Sequence, residues 1–120
     1  MLIRYKRSFE KIAMGLLSFM PTEKDLKKLQ ETMKQYEESD NWQLYLWKEV
    51  DDIVGIIGIS LEDDRSAVLQ HVSVNPSHRD QGVGKKMIEH LKTSLDDKFE
   101  IVANEQTQEF YKKCIDEEES

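Results

Sequence analysis

Arg79, Gly82, Gly84, Lys85 and Lys86 stand together in the run Arg79-Asp80-Gln81-Gly82-Val83-Gly84-Lys85-Lys86, just after the β-branched stretch Val72-Ser73-Val74 and an Asn75-Pro76 turn. The start of a helix carries partial positive charge, so basic side chains are ordinarily disfavoured there. Their concentration beside a glycine pair makes chemical sense when an anion sits among them. Successive backbone N–H groups at a helix start point outward, and glycine lets a ligand approach closely, so the implied anion is a phosphate or pyrophosphate. Glycines alone would equally serve close packing of helix on sheet. Spacing excludes two nucleotide motifs: a dinucleotide fingerprint needs a third glycine where Met87 stands, and a P-loop needs Ser or Thr where Lys86 stands.

Other residue types offer less. Cys114 is the only cysteine, which excludes an intrachain disulfide and a cysteine-rich metal site and suits a reducing cytoplasm. No histidine and acid spacing supports it as a nucleophile, so it reads as a small core residue. His71 reads as a hydrogen-bonded sheet residue, and His78 and His90 as solvated. The net charge of -7, from 17 basic and 24 acidic residues, and the acidic tail Asp116-Glu117-Glu118-Glu119 argue against nucleic acid as a partner. No stretch has the apolar length of a membrane span, and Met1-Leu2-Ile3-Arg4-Tyr5-Lys6-Arg7 carries charge where a signal peptide needs an apolar run. A cytoplasmic location follows as the expectation.

The glycine-rich turn needs a strand before it and a helix after it, and the patterning supplies both. At 120 residues and 38% hydrophobic, the chain suits one domain, expected over 1–115 with the tail 116–120 outside it. A short strand over 2–6 leads to a helix capped by Ser8, with Phe9, Ile12, Ala13, Leu16, Leu17 and Met20 on one face. Thr22-x-x-Asp25 opens a second helix with Leu26, Leu29, Met33 and Tyr36 on a stripe. From Asn41 the period becomes two, predicting a half-buried strand to about Glu49, then strands over 53–60 and 67–74. A helix from Gly82 to about Leu95 turns Met87, Ile88, Leu91 and Leu95 inward; a strand over 98–103 and a helix over 106–115 follow. The order β-α-α-β-β-β-α-β-α describes an α/β (α+β) fold, a mixed sheet covered by helices, with a right-handed crossover between its last two strands.

The run from His71 to Met87 resembles the acetyl-CoA-binding signature of the GNAT N-acetyltransferases: hydrophobic-x-Val-x-Pro, then Gln or Arg-x-x-Gly-x-Gly or Ala. The resemblance extends along the chain, because the element order is the family's, Ile53-Val54-Gly55-Ile56-Ile57-Gly58 is like its third strand, and Asn104 followed by Tyr111 resembles its last helix. It implies acetyl-CoA as cofactor and an amine acceptor. It also implies that Val72, Ser73 and Val74 hold the pantetheine arm through main-chain groups where the fourth and fifth strands splay. Arg79, Asp80, Gln81, Gly82, Val83, Gly84 and Lys85 would surround the pyrophosphate. Asn104 would orient the cofactor, and Tyr111, a phenol protonated at neutral pH, would donate a proton to the leaving thiolate.

Two departures from the family pattern bear on activity. Members with a glutamate base on the fifth strand place it where Phe99 stands here, and the neighbouring Glu100 would need a bulge to face the same way. After Phe110-Tyr111-Lys112-Lys113-Cys114 the family usually continues with Gly-Phe and two more strands, whereas here Ile115 leads into the acidic tail. The resemblance thus implies a fold lacking those strands, with an open acceptor side and a sheet edge that would suit a homodimer. It leaves two functions in view: acetyl transfer to a small amine or protein lysine, and noncatalytic acetyl-CoA binding.

Overall fold

The computed structural model describes residues 1–79, 81–95 and 99–119, with side chains through Cys114. Five strands, β1 (Leu2–Arg4), β2 (Trp42–Glu49), β3 (Asp52–Leu61), β4 (Ser66–Val74) and β5 (Glu100–Ala103), form one sheet in the order β1-β2-β3-β4-β5. The pairs from β1 to β4 are antiparallel and β4–β5 is parallel. Helices α1 (Glu10–Leu17) and α2 (Leu26–Glu38) pack on one face; α3 (Val83–Ser94) and α4 (Gln108–Glu119) lie on the other. The expected strand over 98–103 begins at Glu100, and the Asp96-Asp97 turn with Lys98 lies outside the described residues.

Both faces of the sheet are covered, which explains why β3 reads as one apolar run. Ile56 enters the core under α1 and α2, with Leu16, Leu29, Met33 and Leu46; Ile57 and Ile59 enter the core under α3, with Leu69, Met87 and Leu91. The same geometry corrects the half-buried reading of β2. Leu44 and Leu46 face α1 and α2, while Trp47, 4% exposed, sits in the opposite core.

Two helix starts differ from expectation. Ser8 lies inside a 3-10 turn (Arg7–Phe9), and α1 begins from Phe9 with no side-chain cap. Thr22 lies in a second 3-10 turn (Pro21–Glu23), which leaves Asp25 as the cap of α2, its carboxylate accepting from Lys27 N–H at 3.0 Å. That cap starts α2 after the turn and turns Leu26 outward, while Leu29, Met33 and Tyr36 go inward.

The feature that positions the site is a bulge in β4. Gly58 of β3 pairs with His71, but Ile59 pairs with Leu69, so Gln70 is an extra residue on β4. A bulge adds twist and bends its strand. Here it falls where β5 stops: β4 and β5 pair from Ser66↔Glu100 to Leu69↔Ala103 and no further. Ala67 and Leu69 before the bulge, and Val72 and Val74 after it, therefore face the same core despite the odd spacing. Gln70 and His71 are displaced towards the other face.

Candidate functional site

Past Gln70, the edge of β4 that faced β5 is open, and a cleft of about 530 Å³ begins there. That volume lies within the range for small-molecule sites. Val72, Ser73 and Val74 form its floor, the start of α3 closes one end, and α4 supplies Glu109, Phe110, Lys113 and Cys114. Met20 and Pro21, at the entry to the second 3-10 turn, form a further wall.

The start of α3 is built for an anion. Its N-cap is Gly82, in the left-handed region at φ 78°, where a Cβ would be strained, and no side chain caps the helix. The first intrahelical bond of this turn is Lys86 N–H to Gly82 C=O at 3.0 Å, so the amides of Val83, Gly84 and Lys85 lack helical acceptors. Arg79 and Lys85 line the same cleft. Arg79 is braced by Nε–H donating to the Val74 carbonyl at 3.3 Å, which fixes the guanidinium at the cleft wall.

Several of the expected residues gather here and several do not. Val72, Ser73, Val74, Arg79, Gly82, Val83, Gly84 and Lys85 all line the cleft. Gln81 is exposed and is not among the lining residues, and Asp80 lies outside the described residues. Lys86 turns away, its Nζ 3.7 Å from Glu49 Oε1 at the end of β2, so it does not reinforce the cradle as its position in the sequence suggests. Lys113, one helix away, supplies a basic group that local motif reading misses. Gly84 has a second reason to be glycine: a Cβ there would stand 2.5 Å from Phe110 Cζ, so the residue lets α4 lie close to α3.

Asn104 is a helix-capping residue. Its Oδ1 accepts from the Gln106 and Thr107 amides at 2.9 and 3.0 Å, and its Nδ2 donates to Gln70 Oε1 at 3.1 Å. Thr107, fully buried, donates to the Leu69 carbonyl at 2.8 Å and pins the start of α4 to the last paired residue of β4. Tyr111 packs against the core beneath α3 with Lys92 Nζ 6.0 Å from its ring, and it is not among the residues lining the cleft.

A second cavity, of about 570 Å³, opens on the other side of Gln106, which borders both. Glu23, Thr32, Gln70, His71 and Asn104 are among its walls. Glu23 is 2% exposed and His71 7%. Thr32 Oγ1 donates to Glu23 Oε2 at 2.9 Å; His71 Nε2 lies 2.8 Å from Glu23 Oε1, and its Nδ1 lies 2.5 Å from the Tyr36 hydroxyl. With Glu23 ionised, Nε2–H donates to the carboxylate and Nδ1 accepts from Tyr36. The sheet-residue reading of His71 agrees with this; the buried carboxylate was not expected, because nothing near Glu23 in the sequence marks it.

Burial alone would raise the Glu23 carboxyl, but the hydrogen bonds from His71 and Thr32, with the nearby charge of Lys28, outweigh it and hold the group below the ordinary carboxylate range. A carboxyl lowered by folding stabilises the native state above its unfolded value of about 4.3 and loses that contribution as pH falls through the folded value. Glu23→Gln is therefore expected to lower stability at neutral pH and to flatten the acid limb. Urea midpoints from neutral pH downward check this; an equal loss at every pH would contradict it.

Comparison with known proteins adds the family. The family model described as Acetyltransferase (GNAT) family matches residues 11–114. A Bacillus methanolicus protein, named an uncharacterized N-acetyltransferase in the lysA 3' region, is 59% identical over 114 residues, covering 95% of this chain and 94% of its own. Among solved structures, an aminoglycoside 6'-N-acetyltransferase complexed with coenzyme A superposes with a TM-score of 0.74 at 14% identity, over 95% of this chain and 83% of that one. An Elizabethkingia anophelis GNAT family acetyltransferase with acetyl-CoA bound gives 0.66 at 19% identity, over 92% and 70%. These structural likenesses establish the mixed α/β fold.

Proposed function

Since this chain belongs to the acetyltransferase (GNAT) family, we propose that it uses acetyl-CoA to acetylate a primary amine by direct attack of the nitrogen on the thioester. The observation that carries this reading is the uncapped start of α3 opening, with Arg79 and Lys85, onto the cleft left where β4 parts from β5. The coenzyme's diphosphate matches the donors of that cradle, which are charge-assisted or aligned with the helix dipole. The pantetheine arm suits the open main-chain edge of Val72, Ser73 and Val74, and an N–H on that edge is suited to stabilise the oxyanion formed on attack. Asn104, through Gln70 and the cap of α4, keeps the far wall of the cleft in place.

The leaving thiolate benefits from a proton, and Tyr111 is proposed as its donor on the strength of the sequence resemblance. Tyr111→Phe is then expected to lower amine-dependent thiol release by about a hundredfold, the scale of general acid catalysis, with acetyl-CoA affinity unchanged. An unchanged rate would remove the role, and the position of Tyr111 outside the cleft lining would account for it.

A second reading is a noncatalytic acetyl-CoA-binding module linked to riboflavin biosynthesis. It is favoured by Phe99 standing where some members of the family have a glutamate base. Its riboflavin association rests on sequence resemblance to a small acetyltransferase-like protein encoded with riboflavin-biosynthesis genes in bacilli. Thiol release from acetyl-CoA over a panel of amines separates the two readings: transfer requires amine-dependent release, and the module requires binding without it. The lone cysteine and the outer edge of β5, which pairs with no further strand among the described residues, support cytoplasmic residence and a homodimer as parts of the proposal.

A further inference from the structure

The cavity beyond Gln106 shares only that residue with the lining of the coenzyme cleft, and it contains the most deeply buried carboxylate among the described side chains. A buried charge is costly unless it is paired, and Glu23 is held by neutral Thr32 and by His71. Each carboxylate oxygen offers two acceptor positions, and the two bonds to Thr32 and His71 fill one on each. Gln70, Asn104 and Thr22 add neutral polar groups to the walls; Lys28 and Glu31 offset one another at the rim. The cavity is therefore polar, adjoins the open edge of β4, and contains a fixed anion with acceptor capacity to spare.

A carboxylate held by hydrogen bonds from Thr32 and His71 is a poor base for the reacting nitrogen, and pairing with it would keep that nitrogen in the ammonium form, which cannot attack a thioester. It is right for a second cation on the same molecule. We propose that this cavity is the acceptor site and that it takes a short diamine, or an amine with an equivalent second cation, whose non-reacting ammonium is fixed by Glu23. The proposal rests on the acetyl-transfer reading and names its substrate class. His71 and Tyr36 act as positioning residues, because they hold the carboxylate against the wall.

The test is calorimetric titration of the coenzyme A-loaded protein with cadaverine and with pentylamine, its single-charge counterpart, alongside acetyl-CoA titrations. The wild-type protein is expected to bind cadaverine about tenfold or more tightly than pentylamine, the scale of one hydrogen-bonded charge. Glu23→Gln, which keeps the shape, accepts from His71 through its amide oxygen and can donate to Thr32 Oγ1 through its amide nitrogen, should abolish that preference and leave acetyl-CoA affinity unchanged. Equal wild-type affinity for the two amines would overturn the proposal without need of any variant, and so would a preference that survives Glu23→Gln in a protein that is still folded at the titration temperature. Failure of the wild-type protein to bind acetyl-CoA at all is a separate outcome, which removes the acetyl-transfer reading and this proposal with it.

Discussion

Gly58→Ala is expected to cost about 3–5 kcal/mol of folding stability, as overpacking and a lost buried hydrogen bond add. Gly58 pairs across the sheet with His71, and the space above it is filled by the hydroxyl and ring of Tyr36. A methyl group there would occupy the same position as the tyrosine. Tyr36 cannot move aside cheaply: it is 7% exposed, its ring meets Trp42 edge-on at 5.2 Å, and its hydroxyl is bound to His71 Nδ1. Forcing it out frees a buried imidazole nitrogen and loosens the hold on Glu23. Urea denaturation of the two proteins measures the cost. Gly58→Ala/Tyr36→Phe should recover part of the loss, since removing the hydroxyl vacates the nearest atom. A Gly58→Ala protein as stable as wild type would mean that Tyr36 does not pack over this strand.

The second large effect concerns the cradle. Arg79→Ala combined with Lys85→Ala is expected to weaken acetyl-CoA binding by about a hundredfold, as two hydrogen-bonded charges are lost at roughly tenfold each. Wild-type affinity should also fall with added salt more steeply than that of the double variant. Both residues line the cleft at the surface, so the double variant should keep its fold, and a circular dichroism melt confirms that before titration. Lys86→Ala serves as the control: its ammonium is turned to Glu49, so its removal should change affinity by no more than about twofold, the scale of an exposed ion pair. Equal losses from Lys86→Ala and Lys85→Ala would contradict the orientation of α3 described above.

The cradle was legible in the sequence because it is local: a strand, a turn with a left-handed glycine, and a helix start fall within a dozen or so consecutive positions. Element order was legible for a similar reason, since each helix and strand carries its own period. Lys86 misled because adjacency along a helix says little about direction; successive residues point about 100° apart. The β4 bulge was written in the sequence, yet ambiguous. Leu69 and Val72 are both apolar at an odd spacing, and either residue between them could be the extra one until the pairing with Gly58 and Ile59 fixes it. The Glu23, His71 and Tyr36 group was not legible, because its members are far apart in the chain and meet only through sheet register and the packing of α2. Gly58 was a faint signal: like Gly55, it is a glycine inside a largely β-branched strand, which marks a close approach, though not by what.

The central claim is that the coenzyme's diphosphate binds at the start of α3. The most direct measurement is amide chemical-shift mapping during an acetyl-CoA titration at low ionic strength, repeated with pantetheine, which lacks the diphosphate. The largest acetyl-CoA shifts should fall on Val83, Gly84 and Lys85, and pantetheine should leave those three amides unmoved while still shifting Val72 to Val74. No binding of acetyl-CoA, or largest shifts away from the first turn of α3, would contradict the account.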